Sequence, residues 1–183
     1  RGLTDLSGDD IATTFLARLW HEQDLVTIHE TGHDLYGEDF RFTPSQSLTF
    51  NLPDLVETPS ATPNAWMRCR FFANVPSKST YVTYTVNNAQ LPRDERDRVP
   101  GTSGSYNYGD TCLSRKAFNV SGNRLTLGIT HNPAGNSVQK AHLDRVDINY
   151  LRSLRVPSDN YLLFSSDATR LRLDNATAST VIW

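Results

Sequence analysis

The 183-residue chain is long enough for one domain with a sizeable core. Its 38% hydrophobic content, mean hydropathy of −0.47 and formal net charge of −2 describe a globular protein with a polar surface. No apolar run approaches the ~18 residues of a membrane-spanning helix, and the charge balance gives no electrostatic basis for nucleic acid or an anionic bilayer.

Residues 1–10 are polar and read as a lead-in. From Thr13 to Trp20 the residues Thr13, Phe15, Ala17 and Leu19 share one parity, which predicts a strand. The next stretch, Leu19 to Phe40, admits two readings. His29-Glu30-Thr31-Gly32-His33 spells H-E-x-x-H, the zinc-peptidase motif. On a helix its two His share one face and reach one metal, and the Glu acts as general base. Leu25, Ile28, Gly32 and Leu35 would line one side of that helix. Against it, Val26-Thr27-Ile28 is β-branched, and Gly32 costs a helix interior roughly 1 kcal/mol relative to Ala. A third ligand would have to come from Asp39, Glu57, His131 or His142, and no spacing selects among them. The second reading is a strand end, a turn at Thr31-Gly32 and a return, with the His as ordinary polar side chains.

Phe40 and Phe42 precede Pro44 as at a strand end, and Ser47 to Leu52 alternates cleanly. Pro53, Pro59 and Pro63 punctuate a loop. Ala65 to Val75 and Tyr81 to Val86 are strong strands, and Pro76-Ser77-Lys78-Ser79 predicts a hairpin between them. Leu91 to Asp110 is a long irregular stretch with a mixed-charge run, Arg93 to Arg98. It reads as a solvated excursion; alternatively Tyr106 and Tyr108 stack on a sugar or peptide. Thr111 to Val120 and Arg124 to Thr130 are strands with a hairpin turn at Ser121-Gly122-Asn123, and 131–136 is a loop. Ala141 to Leu154 is a long strand; Tyr161 to Phe164, Thr169 to Leu173 and Thr180 to Trp183 are short ones. About ten short strands with turn residues between them, and no helix longer than two turns, predict an all-β, jelly-roll-like β-sandwich in one domain spanning 1–183.

Two segments carry a resemblance. Trp20, Glu22, Asp24, Gly32, Tyr36, Gly37, Glu38 and Phe40 fit in order a frame of an aromatic residue or His, E-x-D, a short gap, S-G-R and W/Y-x-G-E-x-F. Thr31 and His33 stand where that frame more usually has Ser and Arg. Leu143, Asp144, Ile148, Asn149, Tyr150, Arg152 and Leu154 fit a second pattern, L-D-y-I-e-I-n-Y-x-R-x-L. Both resemble the N-terminal, non-catalytic region of the PorU-type sortases of the Bacteroidetes type IX secretion system, surface proteins of the gingipain cysteine-peptidase family. The resemblance implies a parent that removes C-terminal export signals from cargo and attaches cargo to the cell surface, at the outer membrane of a Gram-negative bacterium. Its catalytic Cys and His lie in a later domain, so this piece of a longer polypeptide is expected to be no enzyme and to hold no catalytic residue, cofactor or metal. The implied partners are the peptidase domain, secreted cargo and other secretion components.

Nothing around Cys69 or Cys112 resembles a catalytic motif; the two form either one disulfide, if the parent is exported, or two buried thiols. The chain has no G-x-S-x-G, phosphate-binding Gly loop, C-x-x-C or EF-hand pattern. Asn119-Val120-Ser121 and Asn175-Ala176-Thr177 are formal glycosylation sequons that carry no information in a bacterial surface protein. The rival functions are a carbohydrate- or peptide-binding surface module and the zinc peptidase through His29, Glu30 and His33.

Overall fold

Successive side chains of an extended chain point to opposite faces, so alternating apolar and polar residues make strands with one buried face. In the computed structural model, which describes residues 11–28, 34–76, 78–101, 109–157, 162, 164 and 170–181, that pattern gives thirteen strands. They are β1 (Ile11–Ala12), β2 (Thr14–Glu22), β3 (Val26–Thr27), β4 (Leu35–Tyr36), β5 (Ser45–Asn51), β6 (Ala65–Asn74), β7 (Thr80–Val86), β8 (Ala89–Gln90), β9 (Arg98–Val99), β10 (Asp110–Phe118), β11 (Arg124–Asn132), β12 (Lys140–Ser153) and β13 (Arg170–Leu171). The helical content among the described residues is a single 3-10 turn at Glu95–Asp97.

Two sheets stack to enclose the core. One is four-stranded in the order β10-β6-β12-β2, and the other runs β5-β11-β7-β8 with β9 also on β7. The seven long strands alternate between them along the chain: β2, β6, β10 and β12 in the first, β5, β7 and β11 in the second. This alternation makes the fold a jelly-roll-like sandwich. Phe15, Met67, Phe71 and Ile148 face inward from the first sheet, and Val82, Leu127 and Ile129 meet them from the second.

Alternation between sheets overturns both expected hairpins. β6 and β7, on either side of Pro76-Ser77-Lys78-Ser79, lie in different sheets and do not pair. Likewise β10 and β11 are in opposite sheets, and the crossing through Ser121-Gly122-Asn123 spans the end of the sandwich. Buried Asn64 clamps that crossing: its Oδ1 accepts from Val120 N at 2.9 Å, and its Nδ2 donates to Val120 O at 2.8 Å. A turn signal marks where a chain reverses; the partner is set by which faces must be buried together.

Three smaller expectations also change. His131 belongs to β11 rather than to a loop and is buried. The C-terminal strands shrink to Arg170–Leu171, which pairs in parallel with β1, while Thr180 and Val181 are not in a strand; Ile182 and Trp183 lie outside the described residues. Of Tyr161–Phe164 only Leu162 and Phe164 are described, the Phe164 ring 5.8 Å from that of Phe15.

The mixed-charge run is anchored inward rather than merely solvated. Asp94 caps the 3-10 turn, its side chain accepting from Arg96 N at 2.8 Å, and Asp97 reciprocates by accepting from Asp94 N at 2.8 Å. That turn aims the Asp97 carboxylate into the sandwich, where Lys116 of β10 meets it at 2.6 Å. Tyr106 and Tyr108 lie outside the described residues.

Cys69 and Cys112 are buried free thiols, not a disulfide. In the β6–β10 register Cys112 faces Phe71 and Cys69 faces Ser114, so the two are diagonal neighbours. Diagonal positions are roughly 7–8 Å apart, beyond the ~4 Å Cβ separation a disulfide needs. Burial pushes both thiols up, Cys112 to about 12, so neither is a ready thiolate nucleophile at neutral pH.

Candidate functional site

The two segments that carry the family resemblance, more than a hundred residues apart in sequence, are neighbours in space. β2 runs antiparallel to β12, with Trp20 opposite Asp147 and Ala17 opposite Tyr150. After β2 the chain makes a short ladder, β3 with β4, pairing Val26 with Tyr36 and Thr27 with Leu35. It then returns along β12: Gly37 N donates to Leu143 O at 2.7 Å, Leu143 N to Glu38 O at 3.1 Å, and Phe40 N to Ala141 O at 2.8 Å. Gly37 sits at a close approach, where a Cβ would lie 3.0 Å from the carbonyl oxygen of Gln23 and crowd the backbone. Ile28 and Tyr36 cover Phe72 on the outer side of the four-stranded sheet, the Tyr36 and Phe72 rings 5.0 Å apart. His21 Nε2 meets Glu38 Oε1 at 2.5 Å, which ties the end of β2 to the returning chain.

Strands at Val26–Thr27 and Leu35–Tyr36 occupy positions that the zinc reading assigns to a helix. They fit the strand, turn and return. His29, Glu30, Gly32 and His33 themselves lie outside the described residues. The four candidate third ligands have other occupations. Asp39 accepts from Arg41 N at 2.7 Å, Glu57 accepts from Gly122 N at 3.0 Å, and His142 Nδ1 lies 3.3 Å from Gly37 O. His131 Nε2 lies 3.0 Å from Thr80 Oγ1, and its ring packs against Phe71.

Burial pushes the His131 imidazole down to about 4, because the charged form is poorly solvated in the core. An unfolded His titrates near 6.5, so between these values the unfolded chain binds the extra proton and stability falls as pH falls. The expected loss at pH 4 relative to pH 7 is roughly 3 kcal/mol from this group. Urea unfolding at the two pH values reads it, and His131→Gln should flatten that part of the dependence.

The outer face of the four-stranded sheet gathers charged side chains, the arginines and Glu22 at the surface and Asp144 and Asp147 largely buried among them. Strand registers place them in rows: Arg115, Arg68, Asp147 and Trp20 in one, and Leu113, Arg70, Arg145 and Glu22 in the next. Asp147 holds Arg18 at 2.7 Å and Arg145 at 3.0 Å, Arg145 also holds Glu22 at 3.0 Å, and Arg70 holds Asp144 at 2.8 Å. A bulge between Leu143 and Arg145 gives Asp144 no ladder partner and turns its carboxylate to Arg70. Burial raises the Asp144 carboxyl above the ordinary Asp value despite the opposing pull of Arg70. Between these groups lies a depression of about 290 Å³. Trp20 stands 62% exposed on the same face. Sequence reasoning passed over Arg68, Arg70 and Arg115, although their parity, opposite Met67, Cys69 and Ser114, marked them as outward-facing.

The sandwich is similar to part of the dimeric latent PorU from Porphyromonas gingivalis, with a TM-score of 0.64 and 21% identity over 84% of this chain. The likeness is one of fold. The chain spans 14% of the length of that protein. Looser likenesses extend to the insecticidal delta-endotoxin Cry8Ea1 from Bacillus thuringiensis (TM-score 0.39, 17% identity, 61% of this chain and 19% of that one). A family 35 carbohydrate binding module from Clostridium thermocellum gives TM-score 0.38 and 13% identity over 74% of this chain and 90% of its own. No protein-family model and no curated protein sequence matches the chain.

Proposed function

We propose that this chain is a non-catalytic β-sandwich domain of a PorU-type surface sortase, where it braces the peptidase domain or contacts cargo or secretion partners at the cell surface. The observation that supports this reading is the convergence of the two resembling segments on one side of a sandwich whose fold matches PorU over 84% of the chain. Tyr36, Gly37, Phe40, Leu143 and Ile148 serve there as packing and backbone contacts rather than as reacting groups. Among the described residues, no helix is long and apolar enough to cross a membrane.

A peptidase assay on the longer polypeptide, with an export-signal-bearing cargo protein, tests the proposal. Cleavage should require a Cys outside residues 1–183 and survive Cys69→Ala and Cys112→Ala, and residues 1–183 alone should cleave nothing. Cleavage by the isolated chain, or a parent without a Cys–His peptidase domain, would overturn the proposal.

A second reading, a surface module that binds carbohydrate or peptide, draws support from the exposed Trp20 and the arginine rows of the outer sheet face. A polar depression with an exposed indole on the same sheet face suits ligand capture more than packing alone.

A further inference from the structure

We propose that the outer face of the four-stranded sheet binds an acidic glycan, one built from uronic-acid sugars, with Arg68 and Arg115 holding a sugar carboxylate and Trp20 stacking on a ring of the same polymer. This deepens the surface-module reading and is independent of the sortase one.

The decisive feature is an unsatisfied like-charge pair. Arg68 and Arg115 are exposed and directly opposite in the β6–β10 register. Opposed like charges on an antiparallel pair are destabilising. The other three arginines of this face, Arg18, Arg70 and Arg145, all have carboxylate partners. Arg68 and Arg115 have none among the described residues. A carboxylate accepting hydrogen bonds from both guanidinium groups would relieve their repulsion.

The same row names the rest of the ligand. It runs from Arg115 through Arg68 and Asp147 to Trp20, one residue per strand. Strand spacing sets Trp20 about 10 Å from Arg68 across the sheet, so stacking ring and bound carboxylate belong to different units of a chain lying across the strands. The exposed indole of Trp20 offers an apolar surface to the C–H face of a sugar.

Interleaved carboxylates choose between an acidic glycan and an acidic peptide. Asp144, Asp147 and Glu22 stand among the arginines. They would repel a run of acidic side chains, yet they accept hydrogen bonds from hydroxyls. Each ring of a uronic-acid polymer carries hydroxyl donors beside its carboxylate, so every unit can meet an arginine and a neighbouring carboxylate together; an acidic side chain carries its carboxylate with no hydroxyl beside it.

Isothermal titration of the 183-residue protein with oligogalacturonate, a neutral galactose oligomer and polyglutamate tests this. Oligogalacturonate should bind, weaken with added salt, and leave the neutral oligomer without measurable binding. The Arg68→Gln/Arg115→Gln variant should weaken it about tenfold or more, and Trp20→Ala several-fold. Because the paired substitution removes a repulsion, the variant should unfold at or above the wild-type temperature, which separates lost binding from lost folding. No binding of oligogalacturonate, binding unchanged in these variants, or equal binding of polyglutamate that ignores Trp20→Ala would each overturn the proposal. None of those results alters the outcome of the peptidase assay, so the two readings fail separately.

Discussion

Replacing Lys116 by Met should destabilise the sandwich by about 3–5 kcal/mol, read as a fall in the urea unfolding midpoint at unchanged slope. The Lys116 side chain is 6% exposed, and its ammonium donates to Asp97 Oδ2 at 2.6 Å, Pro92 O at 2.8 Å and Asp94 Oδ2 at 3.0 Å. Asp97 is fully buried, and its other oxygen, Oδ1, already lacks a partner among the described residues. Removing the cation strands a carboxylate in a medium that solvates charge badly, and that penalty dominates the loss of the pair itself. The pair also fastens the Asp94–Asp97 turn to β10, so the same variant should increase protease cutting between Leu91 and Val99. Lys116→Met with Asp97→Leu should recover most of the stability, since a buried ion pair exchanged for apolar side chains of similar volume is often neutral. A double variant as unstable as the single one would show that the charge pair is not what fixes the turn.

Phe40→Ala is expected to cost a similar 3–5 kcal/mol. Phe40 is almost wholly buried, and its ring packs edge-on against Phe71 at 5.1 Å, in the main core rather than the small cluster of Ile28, Tyr36 and Phe72. Truncation therefore opens a cavity between the returning chain and the four-stranded sheet, where close packing leaves no neighbour free to fill it. Phe42, two residues on and 77% exposed, provides the control: Phe42→Ala should change stability by no more than about 0.5 kcal/mol. Chemical denaturation of both variants decides the matter. Equal, small effects would place Phe40 in a peripheral flap instead of the core.

Trp20 and Phe40 illustrate how much of the site was legible in the sequence. Both fit one family frame, yet the first stands out in solvent and the second fills the core. The frame names residues in order without saying which face each takes. Strand parity supplies the face: Phe15 and Ala17 point inward from β2, while Leu16, Arg18 and Trp20 point outward. Arg68 and Arg115 could be assigned to the outer face by the same rule. Their direct opposition could not, because it depends on the antiparallel register of β10 on β6, and pairing across some fifty residues leaves no local trace. The buried Lys116–Asp97 pair was hidden for a related reason. A mixed-charge run normally marks a solvated loop, and only a capped turn docking against β10 brings one of its carboxylates inside.

What the amino-acid order alone determined is the all-β class, the approximate positions of the long strands, and the side of each that must be buried, because these follow from alternation and turn chemistry within a few residues. Tertiary structure decided which strands lie side by side. Both expected hairpins gave way to crossings between sheets, and the resembling segments met along β2 and β12, because inward faces must be covered by one another and that demand couples residues far apart in the chain.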